Sequence, residues 1–224
     1  MDDRGNMQVA VDAVCFTVMH DELKILLIQR KYEPFQGGYA IPGGFVKKDE
    51  ELEDAVKREL AEETGVTGVF LKQLGAYGKV DRDPRGRILS VAFAALISPH
   101  QRLQATTDAM AAEWFAIDNL PKLAFDHDKI IAEALDFLRF ELQTTNIANQ
   151  VLPEFFTLSQ LQGLYESVLG KKLDKRNFRR RIKEMDVLKE TDKTHMEGAH
   201  RPAKLYTFKD KEYTTLKARI QVFV

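Results

Sequence analysis

Between Gly44 and Val66 the residue types and their spacing point to metal chemistry. Five residues after Gly44 comes Glu50, and seven more lead to Arg58-Glu59-Leu60-Ala61-Glu62-Glu63-Thr64-Gly65-Val66. On a helix, Glu62 and Glu63 stand three and four positions after Glu59, so the three carboxylates project from one side. Like charges placed this way repel and destabilise the bare helix. A hard divalent cation such as magnesium relieves that repulsion, since it takes oxygen ligands and bridges readily to phosphates. Glu50 and Arg58 lie about two turns apart, within reach of a long arginine pairing back along the helix. A Glu-rich helix is ordinarily a solvated face, and an isolated Glu-Glu pair would be read so. Here seven identities and two aliphatic positions fall into one spaced arrangement.

A second cluster is basic. Thr157 with Gln160 three residues later forms a capping box opening a helix, with Leu158, Leu161, Leu164, Tyr165, Val168 and Leu169 at apolar spacing and Gly170 at its end. A short turn reaches Asp174, a good cap for the next helix. There Phe178, Ile182 and Met185 form the core stripe, while Lys175, Arg176, Asn177, Arg179, Arg180 and Lys183 cover most of the rest. Two helices joined by a tight turn, the second strongly basic, is the helix-turn-helix arrangement whose second helix enters the major groove. Leu188-Lys189-Glu190 and Lys204 to Phe208 are expected to pair as a hairpin, the wing, with a polar tip from Asp192 to Arg201. Arginine and asparagine are also side chains that read guanine and adenine edges. A solvated basic helix on a dimerisation domain is the plainer alternative, but six of the seven non-apolar positions from 175 to 183 are Lys or Arg, which is dense for that purpose.

The elements that must hold these clusters are legible around them. Residues 9–19 and 23–30 are apolar, β-branched runs separated by Met19-His20-Asp21-Glu22, a hairpin. A third extended stretch runs from Tyr39 to Val46. Residues 50–63 lack Gly and Pro and read as helix, with Leu52, Val56 and Leu60 facing a sheet and Gly65 just past the end. Further strands are expected at 68–80, 87–97 and 112–117, and Asp126 is placed to cap a helix running to about Gln143. The uncharged, polar stretch 144–153 reads as a linker, dividing the chain into 1–143 and 154–224. This is an α+β pattern with a winged helix-turn-helix at its C-terminal end.

The 224 residues, 44% hydrophobic and 30% charged, suit an ordinary globular chain with one large or two small domains. The net charge of −1 hides a division: 16 Lys and Arg face 10 Asp and Glu from Glu154 onward, against 17 and 24 before it. A basic segment of this kind suits a nucleic-acid or other anionic partner. The lone cysteine, Cys15, sits in the apolar run Ala13-Val14-Cys15-Phe16 and reads as buried strand rather than as a reactive thiol. Met1-Asp2-Asp3-Arg4 lacks a signal pattern, and no apolar run approaches the roughly 20 residues a membrane span needs. A cytoplasmic protein is expected.

The spaced carboxylate arrangement is identified as a Nudix box. Its resemblance implies an α/β/α sandwich around a mixed sheet, Glu59, Glu62 and Glu63 as metal ligands, and Arg58 and Glu50 bracing loop against helix. It also implies metal-assisted attack of water on a phosphorus of a nucleoside diphosphate, with the Gly43-Gly44 backbone close to the diphosphate. Together with the winged helix, the stretches Pro34-Phe35, Tyr39 to Val46, Leu123 to His127, Leu173 to Arg180 and Arg201-Pro202-Ala203 resemble the NrtR family, the Nudix-related transcriptional regulators of NAD metabolism. The resemblance implies a dimeric repressor of NAD biosynthesis or salvage genes that binds double-stranded operator DNA. It further implies that ADP-ribose or a related nucleoside diphosphate bound in the Nudix domain controls that binding. Members of the family often have eroded boxes; this one is intact, so hydrolysis of ADP-ribose remains open. An ADP-ribose pyrophosphatase with an accessory C-terminal domain, or a sugar-responsive regulator of the same architecture, are the alternatives.

Individual side chains around the box carry lesser signals. Arg30 ends a strand leading into the glycine loop and is a candidate for meeting a phosphate, with a plain surface charge as the alternative. His127 reads as a ligand contact or, more commonly near a helix start, a structural histidine. Glu113 beside Trp114 is a weak candidate for a general base. Phe35 and Tyr39 are candidates for stacking on a nucleobase or, more often beside a sheet, for core positions.

Overall fold

The computed structural model describes residues 7–104, 109–196 and 202–216. Contacts divide the chain into two compact units, residues 7–17 with 24–135 and residues 18–23 with 136–216.

The first unit is built on β1 (Gln8–Met19), whose residues Val11 to Thr17 are all buried. It runs parallel to β6 (Ile88–Leu96), Gln8 opposite Ile88 through Phe16 opposite Leu96. A parallel pair of this kind has both faces covered, which is why both strands read as near-continuous apolar runs rather than alternating ones. Around them a mixed sheet of seven strands is ordered β3 (Tyr39–Ala40), β2 (Glu22–Arg30), β1, β6, β5 (Lys72–Tyr77), with β4 (Gly43–Phe45) on β1 and β7 (Ala109–Ala116) on β2. Two expected spans are shorter than the sequence suggests. The extended stretch from Tyr39 breaks at Ile41-Pro42, and β5 begins only where Lys72 pairs with Ala94, leaving Gly68 in a left-handed turn at φ 68°.

Helix α1 (Leu52–Thr64) packs Ala55, Val56 and Leu60 against Val11, Ala13, Cys15, Val91, Phe93 and Ala95, one face of the sheet. Gly65 ends it at φ 74°, its N–H returning to the Ala61 carbonyl, as expected of a C-terminal glycine. Helix α2 (His127–Thr144) begins one residue after Asp126, and its Ile130, Ile131 and Ala134 are buried. Its first turn meets Asp12, which alternates with Val11 and Ala13 and so faces the other side of the sheet. The sheet is therefore covered on both faces, the layered arrangement that the box implied.

The second unit holds α3 (Leu158–Leu169), α4 (Lys175–Glu184) and the antiparallel pair β8 (Leu188–His195) and β9 (Ala203–Phe208). The capping box forms as expected, Gln160 N–H donating to Thr157 Oγ1 at 3.1 Å and Thr157 N–H to Gln160 Oε1 at 2.8 Å. The uncharged stretch from 144, expected as a linker, is packed rather than loose. Thr144 to Ala148 are buried, Ile147–Gln150 form a 3₁₀ turn, and Asn146 donates to the carbonyls of Asp210 and Glu212 at 3.1 and 2.8 Å. Polarity here serves backbone groups that would otherwise be unsatisfied. Among the described residues no helix is long and apolar enough to cross a membrane.

Candidate functional site

Arg58 organises the carboxylate helix. Its Nε and Nη2 donate to the two oxygens of Glu50 at 2.6 and 2.8 Å, and Nη2 also reaches the Phe45 carbonyl at 3.1 Å. Its Nη1 donates to Glu59 at 2.6 Å and to Glu62 at 3.2 Å. The expected pairing of Glu50 with Arg58 is thus present, and it ties the loop after β4 to α1. These bonds, the Arg58 fork first and the Lys47 N–H next, pull the Glu50 pKa down to about 2. The carboxylates of Glu50, foremost, and of Glu59 push the Arg58 pKa up.

The other two carboxylates approach the glycine pair. Glu63 is buried and accepts from Gly43 N–H at 2.8 Å. Burial, and after it the nearby charges of Glu59 and Asp12, raise its pKa to about 8, against the pull of the Gly43 bond. Glu59 lies under Gly44, where an added Cβ would sit 2.5 Å from both its carboxylate oxygens. At Gly43 an added Cβ would overlap the Val11 carbonyl. Close approach, not an unusual φ, sets both positions: backbone blocks a side chain at Gly43, whereas at Gly44 the obstacle is the movable end of the Glu59 side chain.

An all-oxygen set crowded by like charge has the donor chemistry of a hard divalent cation. In the arrangement seen here Glu59 and Glu62 turn to Arg58 and Glu63 to Gly43. Among the described residues no three His, Cys, Asp or Glu side chains converge on one point. Glu62, its side chain 46% exposed, is the least constrained of the three.

Beside the glycines opens a pocket lined by Asp12, Arg30, Phe45, Arg82, Arg85 and Phe125, among others. Of the residues singled out from sequence, it includes Arg30, Gly43, Gly44 and His127. His127 is buried, its Nδ1 accepting from Ile41 N–H at 3.0 Å and its Nε2 3.7 Å from Asp12. Burial is the main cause that lowers its pKa, so it is a neutral, structural side chain that also lines the pocket. Asp126 differs from its expected capping role: its carboxylate takes a bidentate fork from Arg82 at 2.7 and 3.2 Å. Phe35 packs edge-on against Phe125, whereas Tyr39 packs on Phe115 within the sheet. Glu113 is exposed on β7, opposite Leu27, and is not among the pocket-lining residues. Cys15 is fully buried and its thiol pushed up to about 12 by that burial, as its apolar setting implied.

Asp12, Arg82, Asp83, Arg85 and Phe125 were not evident as site residues from the sequence. The available signal is the run Asp81-Arg82-Asp83-Pro84-Arg85-Gly86-Arg87, alternately charged between two strands. Asp12 carries a weaker one, a lone carboxylate in an apolar strand, where Ser90 Oγ and Arg82 answer its charge.

In the second unit the basic helix presents Lys175, Arg176, Arg179, Arg180 and Lys183 to solvent, with Phe178 and Ile182 buried beneath. Asp174 caps it, accepting from Asn177 N–H at 2.8 Å. Among the described residues, none of Lys175, Arg176, Arg179 and Lys183 lies within ion-pair distance of a carboxylate, so their charge stays available. Asn177 is half-buried and accepts from Arg180 Nη2 at 2.8 Å. The wing is anchored by Phe156, which exchanges backbone bonds with Tyr206 at 2.8 and 3.0 Å. Arg201, expected near its tip, lies outside the described residues.

Comparison with known proteins agrees with both halves. The NUDIX domain model matches residues 7–134, and the model of the NrtR DNA-binding winged helix domain matches residues 148–208. The chain is 37% identical over 209 residues to the ADPR responsive transcriptional repressor NtrR of Acinetobacter baylyi, covering 92% of this chain and 83% of that protein. The chain belongs to the NrtR family. Its fold is similar to that of Shewanella oneidensis NrtR complexed with a 27mer DNA (38% identity, TM-score 0.77, 90% of this chain and 93% of that one). The Nudix domain of that Shewanella protein, complexed with ADP ribose, matches at 38% identity and TM-score 0.57 over 60% of this chain and 90% of that one. An ADP-ribose pyrophosphatase of Methanocaldococcus jannaschii is 47% identical over 133 residues, 59% of this chain and 74% of that protein. As members of the NrtR family do, this chain joins a Nudix module to a winged helix, and α4 with its exposed basic face lies within the matched winged-helix segment.

Proposed function

We propose that this chain is an ADP-ribose-responsive transcriptional repressor that binds double-stranded operator DNA through α4 and the wing. The observation that carries the reading is the likeness to an ADPR responsive repressor over 92% of the chain, which takes in both modules. Lys175, Arg176, Arg179, Arg180 and Lys183 supply phosphate and base contacts, Asn177 supports Arg180, and Arg201 adds a wing contact. A homodimer reads two half-sites of a palindrome. The regulated genes are those of NAD biosynthesis or salvage, ADP-ribose being a breakdown product of that cofactor. ADP-ribose acts only through different affinities for the DNA-bound and free forms.

In the Nudix pocket Gly43 and Gly44 admit the diphosphate, Arg30 meets its charge, and Arg58 and Glu50 keep the loop on the helix. Glu59, Glu62 and Glu63 hold magnesium, which when bound neutralises charge on the phosphates and polarises them as a Lewis acid. The test is binding to random and genomic DNA fragments at fixed salt, with and without ADP-ribose and magnesium. Specific binding released by ADP-ribose is expected; Arg179→Ala with Arg180→Ala abolishes it and leaves ADP-ribose affinity unchanged. Persistent operator binding by that variant in a gel shift contradicts the assignment of α4.

Hydrolysis of ADP-ribose to AMP and ribose 5-phosphate is a second reading, favoured by the intact box and by the 47% identity to a pyrophosphatase. Glu62→Gln with Glu63→Gln is expected to remove metal-dependent turnover without unfolding the sheet. Turnover surviving in that variant would show the metal assignment to be wrong.

A further inference from the structure

The outward face of α4 has an order that its charge alone does not convey. Phe178 and Ile182 are buried, so Arg180, two residues from each, stands opposite them, with Arg176 and Lys183 on the same side. The Arg180 side chain is 66% exposed, yet its guanidinium is held from two directions. Nη2 donates to Asn177 Oδ1 at 2.8 Å, and Nε stands 4.0 Å from a Glu184 carboxylate oxygen. Lys175, Arg176, Arg179 and Lys183 make no hydrogen bond or ion pair among the described residues. Arg180 is the oriented cation of this face.

The acceptor of Asn177 is fully engaged. Guanidinium groups donate and never accept, so the amide oxygen, not the nitrogen, must face Arg180. Arg181 Nε donates to the same oxygen at 3.3 Å, which occupies both of its lone pairs. An asparagine that reads adenine accepts from N6 through that oxygen while its nitrogen donates to N7. Asn177 has no such oxygen to offer. Arg180 has the complementary capacity, because Nη1 and the second Nη2 hydrogen form a fork with no partner among the described residues. Guanine is the base whose major-groove edge offers two acceptors, N7 and O6, to such a fork.

We propose that Arg180 reads a guanine through N7 and O6 in the major groove, and that Asn177 is the positioning residue that aims the Arg180 fork and reads no adenine itself. The proposal rests on α4 being the DNA-reading helix, as argued above, and adds which base is read and through which side chain. A guanidinium fixed before DNA arrives loses less side-chain freedom on binding.

Gel-shift titration of the full chain tests it, with the tightest genomic fragment from the selection above and copies carrying 7-deazaguanine or 7-deazaadenine at single positions. These analogues keep base pairing and remove only the N7 acceptor. For the wild type, 7-deazaguanine at one position of each half-site is expected to weaken binding about 10-fold. Arg180→Ala is expected to weaken the unmodified fragment roughly 10- to 100-fold and to be indifferent to that analogue. Its slope of affinity against salt stays nearly that of wild type, since no phosphate contact is lost. Asn177→Ala is expected to shrink the 7-deazaguanine penalty at unchanged salt slope, whereas a merely structural loss in α4 would lower binding to every fragment alike. Asn177→Asp keeps an acceptor for Arg180 and is expected to keep the guanine penalty, while its charge weakens binding to all DNA. An undiminished 7-deazaguanine penalty in Arg180→Ala overturns the proposal. So does a salt slope shallower by about one in that variant, which would make Arg180 a phosphate contact. A 7-deazaadenine penalty that vanishes in Asn177→Ala also overturns it. In these three cases α4 remains the DNA-reading helix; failure to select any fragment sinks that reading and the proposal with it.

Discussion

Arg58→Ala removes a single side chain that makes four bonds to three carboxylates and one to the Phe45 carbonyl. The Arg58 side chain is 18% exposed, and those of Glu50 and Glu59 are 14% and 13%. The bond to Glu62, 46% exposed, contributes little, because water and salt screen it. The shielded bonds count for more, although water replaces part of each once the arginine is gone. The loss is therefore well below the sum of separate charge-assisted bonds and comes to about 3 kcal/mol. For a chain of this size that corresponds to a fall in melting temperature of roughly 6 to 12 °C. Trp114, the single tryptophan, packs against the sheet and α1 core, so its fluorescence follows this unit directly. Arg58→Lys is expected to recover less than half of the loss, since one ammonium cannot reproduce the fork onto both Glu50 oxygens. Melting temperatures of Arg58→Ala, Glu50→Ala and the double variant form a cycle in which the double variant melts well above the additive value. The non-additivity also has a pH signature. Glu50 has a depressed pKa, so its contribution is present above the ordinary carboxylate value and is lost as pH falls toward about 2. Strictly additive melting shifts at neutral pH would refute the brace between loop and helix.

Two further outcomes follow from the same unit. Gly44→Ala places a methyl group 2.5 Å from both Glu59 oxygens and forces that carboxylate away; ADP-ribose affinity in magnesium is expected to fall by about tenfold or more, as when a charged partner is displaced, with the Trp114 melting curve nearly unchanged. Undiminished affinity would remove Glu59 from the ligand site. His127 is buried with a lowered pKa, so below about 6.5 the unfolded chain takes up a proton that the folded one refuses, and stability falls with pH in that window. His127→Asn, which keeps an acceptor for Ile41 N–H, is expected to flatten this acid slope in denaturant titrations at pH 5 to 7; an unchanged slope would assign it to other groups.

Local order made the Nudix box and the basic helix readable in advance. Glu59, Glu62 and Glu63 share a side, Glu50 reaches Arg58, and Phe178 with Ile182 forms the buried stripe of α4, because helical periodicity depends only on spacing within one element. The caps at Thr157, Asp174 and Gly65 are local for the same reason. Which carboxylate is buried was not local. Glu63 and Glu62 are neighbours of one type, yet Glu63 lies against Gly43 while Glu62 faces solvent, a difference set by where β4 crosses the helix.

The pocket itself was decided by tertiary structure. Asp12 from β1, Arg30 from β2, Asp83 and Arg85 from the β5–β6 loop and Phe125 before α2 meet only because β1 pairs with β4 and β6 at once. The register of separate strands, Asp12 opposite Gly43 and Gln8 opposite Ile88, sets those distances, and no periodicity within one segment carries it. The same holds for 144–153, whose polar side chains look like a linker until residues 210–214 supply the backbone groups they satisfy. The sequence by itself determined the helices, their caps and the charges they carry, since those depend on neighbours along the chain. Tertiary structure alone decided which charges are buried, answered or left for a ligand, since that depends on neighbours in space.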